Sequence, residues 1–476
     1  MDWSNKPHPF KVYDGLPQVE LPKDLGGSGV SALEALRRLG AADRTVVPSI
    51  EDLARLLFLS AGITRALDYG DEVVYFRTYA SAGALYPVEV YLACAPLPGL
   101  EAGLYHFNPQ GDALTRLRDG DQRGWLARAS SGEPAVTSAP VVFALTGIPW
   151  RTAWKYGERG YRHLFWDAGM ILANLLAAAA SSDLGARFVL GFADQEIEGL
   201  LGLDGRREFP TCLVPVGAGA PVQTAPEAPA PIEVRDRPLS RREQEFELIR
   251  EANDSGRLDL DRVPEWRNAS VGLRAREASR TEPVPGDPAD SLETVVRRRG
   301  SARVFARGAM PGQVLKQLLE IASQPIPTDV GVSGSMLVEP YLIANEVDGL
   351  RSGAYAFRHG DFFLLREGGF RREAGHLCLE QRLAADAAAT MFLMADLDRV
   401  LHALGDRGYR AAQLEGGLVG GRIYLGAYAH RFGATGLTFY DDDVTEFFSP
   451  HAAGKACLLV AAVGESPRLA RASRVS

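Results

Sequence analysis

Apolar positions run through the same programme twice along this chain. In the first pass an Arg-rich helix is followed by helical spacing in SIEDLARLLFLSAG (49–62). VEVYLACA (88–95) and GLYHF (103–107) then predict a strand, a turn and a strand. APVVFALTG (139–147) predicts a further strand, YRHLFWDAGMILANLLAAAASSDLG (161–185) a long apolar helix, and a last strand falls near Cys212. The second pass repeats this order with PGQVLKQLLEIAS (311–323), a strand pair ending in GAYAF, ATMFLMAD (389–396), YRAAQLEGGLVGGRIYLGAYAHRFG (409–433) and a strand near Cys457. Residues 89–107 align without gaps on 339–357, 151–162 on 399–410, and 184–202 on 432–450; 37–44 match 297–303 with one residue extra. Such order and spacing predict a tandem duplication of one α+β unit, each copy an α/β sandwich.

The copies are separated by AGAPVQTAPEAPAPIEVRDRPLS (218–240), a Pro/Ala-rich stretch read as extended linker, and by RREQEFELIREAN (241–253), read as a helical connector. The expected organisation is an arm at 1–30, a first domain at 31–217, linker and connector at 218–289, and a second domain at 290–476.

Composition narrows the chemistry. With 52 Lys+Arg against 60 Asp+Glu the net charge is −8, which points away from nucleic acid or an anionic membrane as partner. The apolar block MILANLLAAAA (170–180) is too short to span a bilayer and is expected to be a buried helix. The opening residues lack the basic-then-apolar order of a signal peptide, so a cytoplasmic location is expected. Cys94, Cys212, Cys378 and Cys457 have no C-x-x-C spacing and are expected to be buried and inert; the eight histidines offer no ligand pair, so no metal site is expected. No G-x-G-x-x-G follows a strand and no Walker motif is present.

Three stretches carry a family resemblance: RRRGSARVF opening a domain, SAGALYPVEVY before a hairpin with GLYHF, and TAWKYGERGYRHLFWDAGMILANL. Together they resemble the SagB-type dehydrogenases, a branch of the FMN-dependent nitroreductase superfamily. The resemblance covers nearly all of 30–217 and, more loosely, 290–465. It implies FMN held between two subunits, the R-x-S-x-R stretch of one gripping the phosphate and the small-residue loop of the other packing on the ring. In this chain the two halves would form that pair internally, as a pseudo-dimer that can stand as a monomer.

The halves have lost complementary parts. Arg299, Ser301 and Arg303 face Leu39, Ala41 and Asp43, so the second half keeps a phosphate cradle. SAGALYP, with Ser81, Ala82, Gly83, Ala84, Leu85 and Tyr86, faces GVSGSML (331–337), so the first half keeps the loop. Its small residues suit close approach to a ring, and Tyr86 is expected as an aromatic wall. One FMN per chain is therefore expected. Gly436 and Leu437 in GATGLTF align with the stretch that lines the ring in relatives, and Arg468 is a further candidate phosphate cation. Lys155-Tyr156, which faces Ala403-Leu404, resembles the catalytic pair of azoline dehydrogenases, with Lys155 as base and Arg151, Arg159 and Arg162 as its cationic field. The shared ERGYR and DRGYR motifs are expected to start helices outside the active site. The leading expectation is FMN-dependent oxidation of an azoline ring in a small-molecule or peptide-derived substrate. NAD(P)H-fed nitro or quinone reduction and a non-catalytic flavin scaffold are the alternatives.

Overall fold

The structure, a computed structural model, describes the chain apart from residues 39–45, 71–72, 223–228, 233–235, 274–275, 278–280, 282–283, 285, 332–334 and 468–476. Its frame is two six-stranded antiparallel sheets. The first runs Gln18–Glu20, Ala113–Asp119, Gly103–Asn108, Val88–Cys94, Val141–Gly147, Phe209–Val216. The second runs Asp361–Glu367, Gly353–Arg358, Glu339–Ala344, Ala389–Ala395, Ala456–Gly464, Gly433–Leu437. Five strands correspond one to one. The sixth is added at opposite edges, from the N-terminal arm in one sheet and from Gly433–Leu437 in the other.

Even the register repeats. Tyr91 faces His106 and Leu92 faces Tyr105, as Tyr341 faces Ala356 and Leu342 faces Tyr355 in the other sheet. A bulge interrupts both sheets at the same place, between Leu104 and Tyr105 and between Ala354 and Tyr355. Val141–Gly147 and Ala389–Ala395 are buried along their whole length, which explains their continuous rather than alternating apolar runs.

The halves meet across a local two-fold. The long helices Gly160–Ser181 and Arg407–Ala429 pack together, both almost wholly buried, as the apolar block at 170–180 foretold. A Cβ added at Gly169 would overlap the Leu414 carbonyl, and one at Gly417 the Trp166 carbonyl. Both glycines and both carbonyl residues are 248 apart, so the contact is reciprocal, as an isologous interface requires. Tyr161 and Tyr409 lie parallel (8°) with centroids 6.1 Å apart, and Ser31 pairs with Ser291. Those serines cap the helices Ala32–Arg37 and Leu292–Arg298, accepting the N–H of Glu34 and of Thr294.

The ERGYR and DRGYR arginines clasp this interface. Arg407 and Arg410 reach Asp194 in the first half at 2.6 and 2.8 Å, while Arg159 and Arg162 reach Asp441 in the second, both at 2.6 Å. Each aspartate opens an eight-residue helix, Asp194–Leu201 or Asp441–Phe448. Burial opposes ionisation of Asp194, but the Arg407 and Arg410 charges outweigh it and hold its carboxyl below the usual range. Its side chain is 1% exposed against 33% for Asp441. Asp194→Ala strands two buried guanidiniums and is expected to cost about 3–5 kcal/mol. Asp441→Ala, at a solvated clasp, is expected to cost about 1 kcal/mol or less. Paired denaturant titrations check the difference.

The connector departs from expectation: its helix covers only Glu247–Ser255. Upstream, the Glu243 carboxylate accepts the Leu239 N–H at 3.2 Å and pairs with Arg207 at 2.8 Å, which holds a turn there instead. A further helix, Val263–Val271, follows. The N-terminal arm lies on the first half. Lys11 pairs with Glu208 at 2.6 Å, and Trp3 packs edge-on to Trp154 at 5.1 Å, whose indole N–H donates to the Asp2 carbonyl. All four cysteines are buried, as expected, and burial pushes the Cys94 and Cys212 thiols up to about 12.

Candidate active site

Residues 81–87 connect the Val73–Arg77 strand to Val88–Cys94 through an unusual backbone. Gly83, Ala84 and Tyr86 all have positive φ (65°, 54° and 48°), and only the glycine adopts this without strain. The turn is over-determined by hydrogen bonds. Ser81 Oγ accepts the Tyr86 N–H at 2.9 Å, Asp167 Oδ1 the Ala82 N–H at 3.3 Å, and Tyr86 Oη the Arg77 N–H at 3.1 Å.

What the turn presents outward is Gly83. A Cβ there would stand 2.9 Å from Tyr156 Oη and 3.1 Å from Lys155 Nζ. The smallness at this position thus serves contact with the Lys-Tyr pair, which ends the helix Pro149–Tyr156. Ser81, Ala82 and Ala84 are half-buried beside it. Two loop residues sit elsewhere than expected. Tyr86 is 3% exposed, its ring edge-on to Tyr79 at 5.5 Å, so it anchors the loop from inside the core and walls no cleft. Leu85 points to the opposite side, into a cluster with Ile148, Trp150 and Trp154. Positive φ at Tyr86 turns its side chain inward, which composition cannot reveal.

From the second half come Arg299, Ser301 and Arg303. Arg299 donates to the carbonyls of Arg77 (2.6 Å), Thr78 (3.1 Å), Tyr79 (3.1 Å) and Gly300 (3.2 Å). The strand ends at Arg77, its last carbonyls need donors, and an arginine from the other half supplies them. Arg299, expected as an anion ligand, thus serves as a strut that ties the 299–303 stretch to the loop. Ser301 and Arg303 are exposed, and Arg303 has no carboxylate partner among the described residues. Tyr424, which no motif indicated, gathers Ser301 (3.3 Å) and the Gly436 N–H (2.5 Å) onto its hydroxyl. Gly436 is exposed beside Ser301 with its N–H already bonded, and Leu437 is buried. Arg468 lies outside the described residues, as do Leu39, Ala41 and Asp43.

The electrostatics shift the Lys155 amine toward its neutral form. Partial burial lowers the Lys155 pKa, and the charges of Arg303 and Lys6 push the same way. The cationic field therefore comes from the other half and the arm, and the expected sources are corrected. Arg151 is fully buried against Glu89 at 2.5 Å, while Arg159 and Arg162 are taken by Asp441. Burial raises Tyr156 to about 12, so its hydroxyl stays protonated.

Two buried groups beneath the pair escaped the sequence reading. His163 packs edge-on to Tyr156 at 4.4 Å, neither ring nitrogen has a protein partner, and burial lowers its pKa to about 3. Asp167 is also buried, its Oδ2 has no protein partner, and burial raises it to about 7. A lone acid in an otherwise apolar helical run, HLFWDAGMIL, was the available signal. Because its folded pKa lies above the unfolded value, Asp167 contributes stability that is full below about pH 4 and lost as pH rises through about 7. Asp167→Asn is expected to remove about 2–4 kcal/mol of the stability difference between pH 5 and pH 8. Denaturant midpoints at the two pH values measure it.

Around the symmetry-related Leu404 the chain's own residues pack in. Asp329 accepts the N–H groups of Leu190 (2.8 Å) and Gly191 (2.9 Å), Arg267 donates to the carbonyls of Ser130 and Gly191, and the Trp266 indole donates to the Leu404 carbonyl. Leu404 is the counterpart of Tyr156.

The donor set suits a flavin nucleotide. Among the described residues, the Arg303 cation at 301–303 has no carboxylate partner beside the Ser301 hydroxyl, and the buried Thr78 Oγ1 and Tyr79 Oη lack protein partners. A glycine-faced loop and an amine of lowered pKa lie opposite.

Comparison with known proteins gives the family. Residues 44–218 match the model of the nitroreductase family. A Methanocaldococcus jannaschii protein described as a nitroreductase is 32% identical over 169 residues, covering 36% of this chain and 80% of that protein. The chain belongs to the nitroreductase family. The microcin B17-processing protein McbC of Escherichia coli is 29% identical over 139 residues, 28% of this chain and about half (51%) of McbC. A crystal structure of a protein described as a nitroreductase, from Anabaena variabilis, superposes with a TM-score of 0.76 at 26% identity, covering 98% of this chain and 95% of that one. The two-sheet architecture thus recurs over a whole second chain.

Proposed function

We propose that this protein is an FMN-dependent dehydrogenase of the SagB type that oxidises an azoline ring, in a peptide-derived product, to the azole. Its halves, 31–217 and 290–476, would be copies of one ancestral unit sharing one flavin. The observation that carries the reading is the contact of Gly83 with Lys155 and Tyr156, in a first-half site completed by Ser301 and Arg303 of the second half. Similarity to McbC, named for microcin B17 processing, supports the ring chemistry.

Ser301 and Arg303 would hold the FMN phosphate, and the 81–84 turn would pack on its ring side. Bound FMN supplies a two-electron acceptor. Lys155 Nζ, its pKa lowered, removes the ring C–H proton. Tyr156 Oη, protonated and beside it, donates a hydrogen bond to the substrate heteroatom. Arg299 keeps the loop in register with the second half, and Asp167 steadies the Ala82 N–H.

The protein is expected to carry one FMN per chain, because Trp266 bonds the carbonyl of Leu404, the counterpart of Tyr156, with Arg267 and Asp329 paired in the same region. Flavin absorbance against protein concentration measures this; two flavins per chain would overturn it. A synthetic thiazoline peptide is expected to lose two mass units on incubation with the holoenzyme and dioxygen. NAD(P)H-driven nitroarene reduction indifferent to Lys155→Ala would select the general reductase instead.

A further inference from the structure

The two arginine–aspartate clasps share a chemistry but not a cover. At the first, Arg407, Arg410 and Asp194 have side chains 2%, 1% and 1% exposed, sealed by the chain's own residues 253–258. Arg407 donates to the Gly256 carbonyl at 2.9 Å, Arg410 to the Asn253 carbonyl at 2.6 Å, and Asp194 Oδ2 accepts the Leu258 N–H at 2.9 Å. The Asp194 N–H returns a bond to the Leu258 carbonyl at 3.2 Å. This is recognition chiefly of a peptide backbone, with the Asn253 side chain accepting a further bond from Arg410 at 3.0 Å and Arg257 paired with Glu198 at 2.6 Å.

At the second clasp Arg159, Arg162 and Asp441 are 31%, 19% and 33% exposed. A groove of about 430 Å³ opens over the two arginines, walled by Tyr161, Tyr409 and Leu248. It begins at Glu158, two residues beyond Tyr156. At its rim Glu158 and Asp406, also 248 apart, are exposed and have no side-chain partner among the described residues. The arginines are seated alike: Arg407 lies over the Phe192 ring at 4.4 Å and donates to the Phe192 carbonyl, and Arg159 lies over the Phe439 ring at 5.2 Å and donates to the Phe439 carbonyl.

We propose that this groove receives a peptide stretch of the substrate, its backbone read by Arg159, Arg162 and Asp441 as residues 253–258 are read at the other clasp. The proposal rests on the peptide-derived substrate inferred above and names how that substrate is held. The acidic rim selects a stretch carrying a basic side chain, as Arg257 does in the covered copy. A substrate so held is anchored through groups distant from the reacting ring, and this binding energy orients the ring at Lys155.

The probe is a fluorescein-labelled peptide of residues 253–270, added to the full-length holoprotein and followed by fluorescence anisotropy. Saturable binding of one peptide per chain is expected, weakened about tenfold or more by Arg162→Ala. Leu248→Asp, on an exposed rim that bridges nothing, is expected to weaken it too, while Lys155→Ala leaves it unchanged. No saturation at millimolar peptide, or affinity untouched by both groove variants, would overturn the proposal. If the probe binds as expected but thiazoline peptides are not oxidised, the groove stands and the azoline assignment falls; turnover without probe binding has the reverse meaning.

Discussion

Lys155→Ala is expected to lower azoline oxidation by about 10²–10⁴-fold while leaving flavin content unchanged. The size follows from the loss of a positioned base, and the retention of flavin from geometry. Lys155 stands in the last turn of the first half's helix Pro149–Tyr156, whereas Ser301 and Arg303 belong to the second half. Its amine is lowered by partial burial and by Arg303 and Lys6, so the unprotonated form is populated nearer neutrality than in a free lysine. The pH–rate profile should accordingly rise with an apparent pKa below the ordinary lysine value. Arg303→Gln should move that limb upward, because one of the two cations facing the amine is gone. Loss of flavin from Lys155→Ala, with an unchanged profile in Arg303→Gln, would make the pair structural.

Gly417→Val is expected to destabilise the protein by more than about 3 kcal/mol, or to abolish soluble expression. The new side chain would meet the Trp166 carbonyl, and backbone of a buried helix cannot step aside as a side-chain tip can. The long helices would have to separate, and with them the halves that build the site, so flavin content should fall together with the melting temperature. Gly199→Ala is the control. Gly199 is an exposed helical glycine with nothing within 4 Å of an added Cβ, and the change is expected to stabilise by about 0.5–1 kcal/mol. Folded, flavin-loaded Gly417→Val protein would show that the helix crossing is not what joins the halves.

The site was partly legible in the chain. The small residues of 81–84 and the Lys155-Tyr156 pair stood out because the other copy lacks them, and they meet in space. Arg299 was legible as important but not in its role. Nothing local says that three carbonyls of the other half, at 77–79, lie within reach of its guanidinium. Tyr86 and Leu85 were placed in the right loop on the wrong sides, since their directions depend on positive φ values that neighbours over 80 residues away, such as Asp167, hold in place. Tyr424 carried no signal, being one of three tyrosines in the buried helix Arg407–Ala429.

By itself the chain determined its elements and their repetition: apolar periodicities, serine caps and strand registers are local, so they survive 250 residues apart with a bulge at the same step. Complementary differences between the two halves were equally readable, since aligning two strings needs no geometry. Which side chains face one another was decided only when the halves closed. Arg299 meets the Arg77 carbonyl across 222 residues, and Arg159 meets Asp441 across 282, because Gly169 and Gly417 let two helices approach to backbone contact. That approach sets a two-fold axis, and an axis is a property of packing, which no stretch of sequence carries alone.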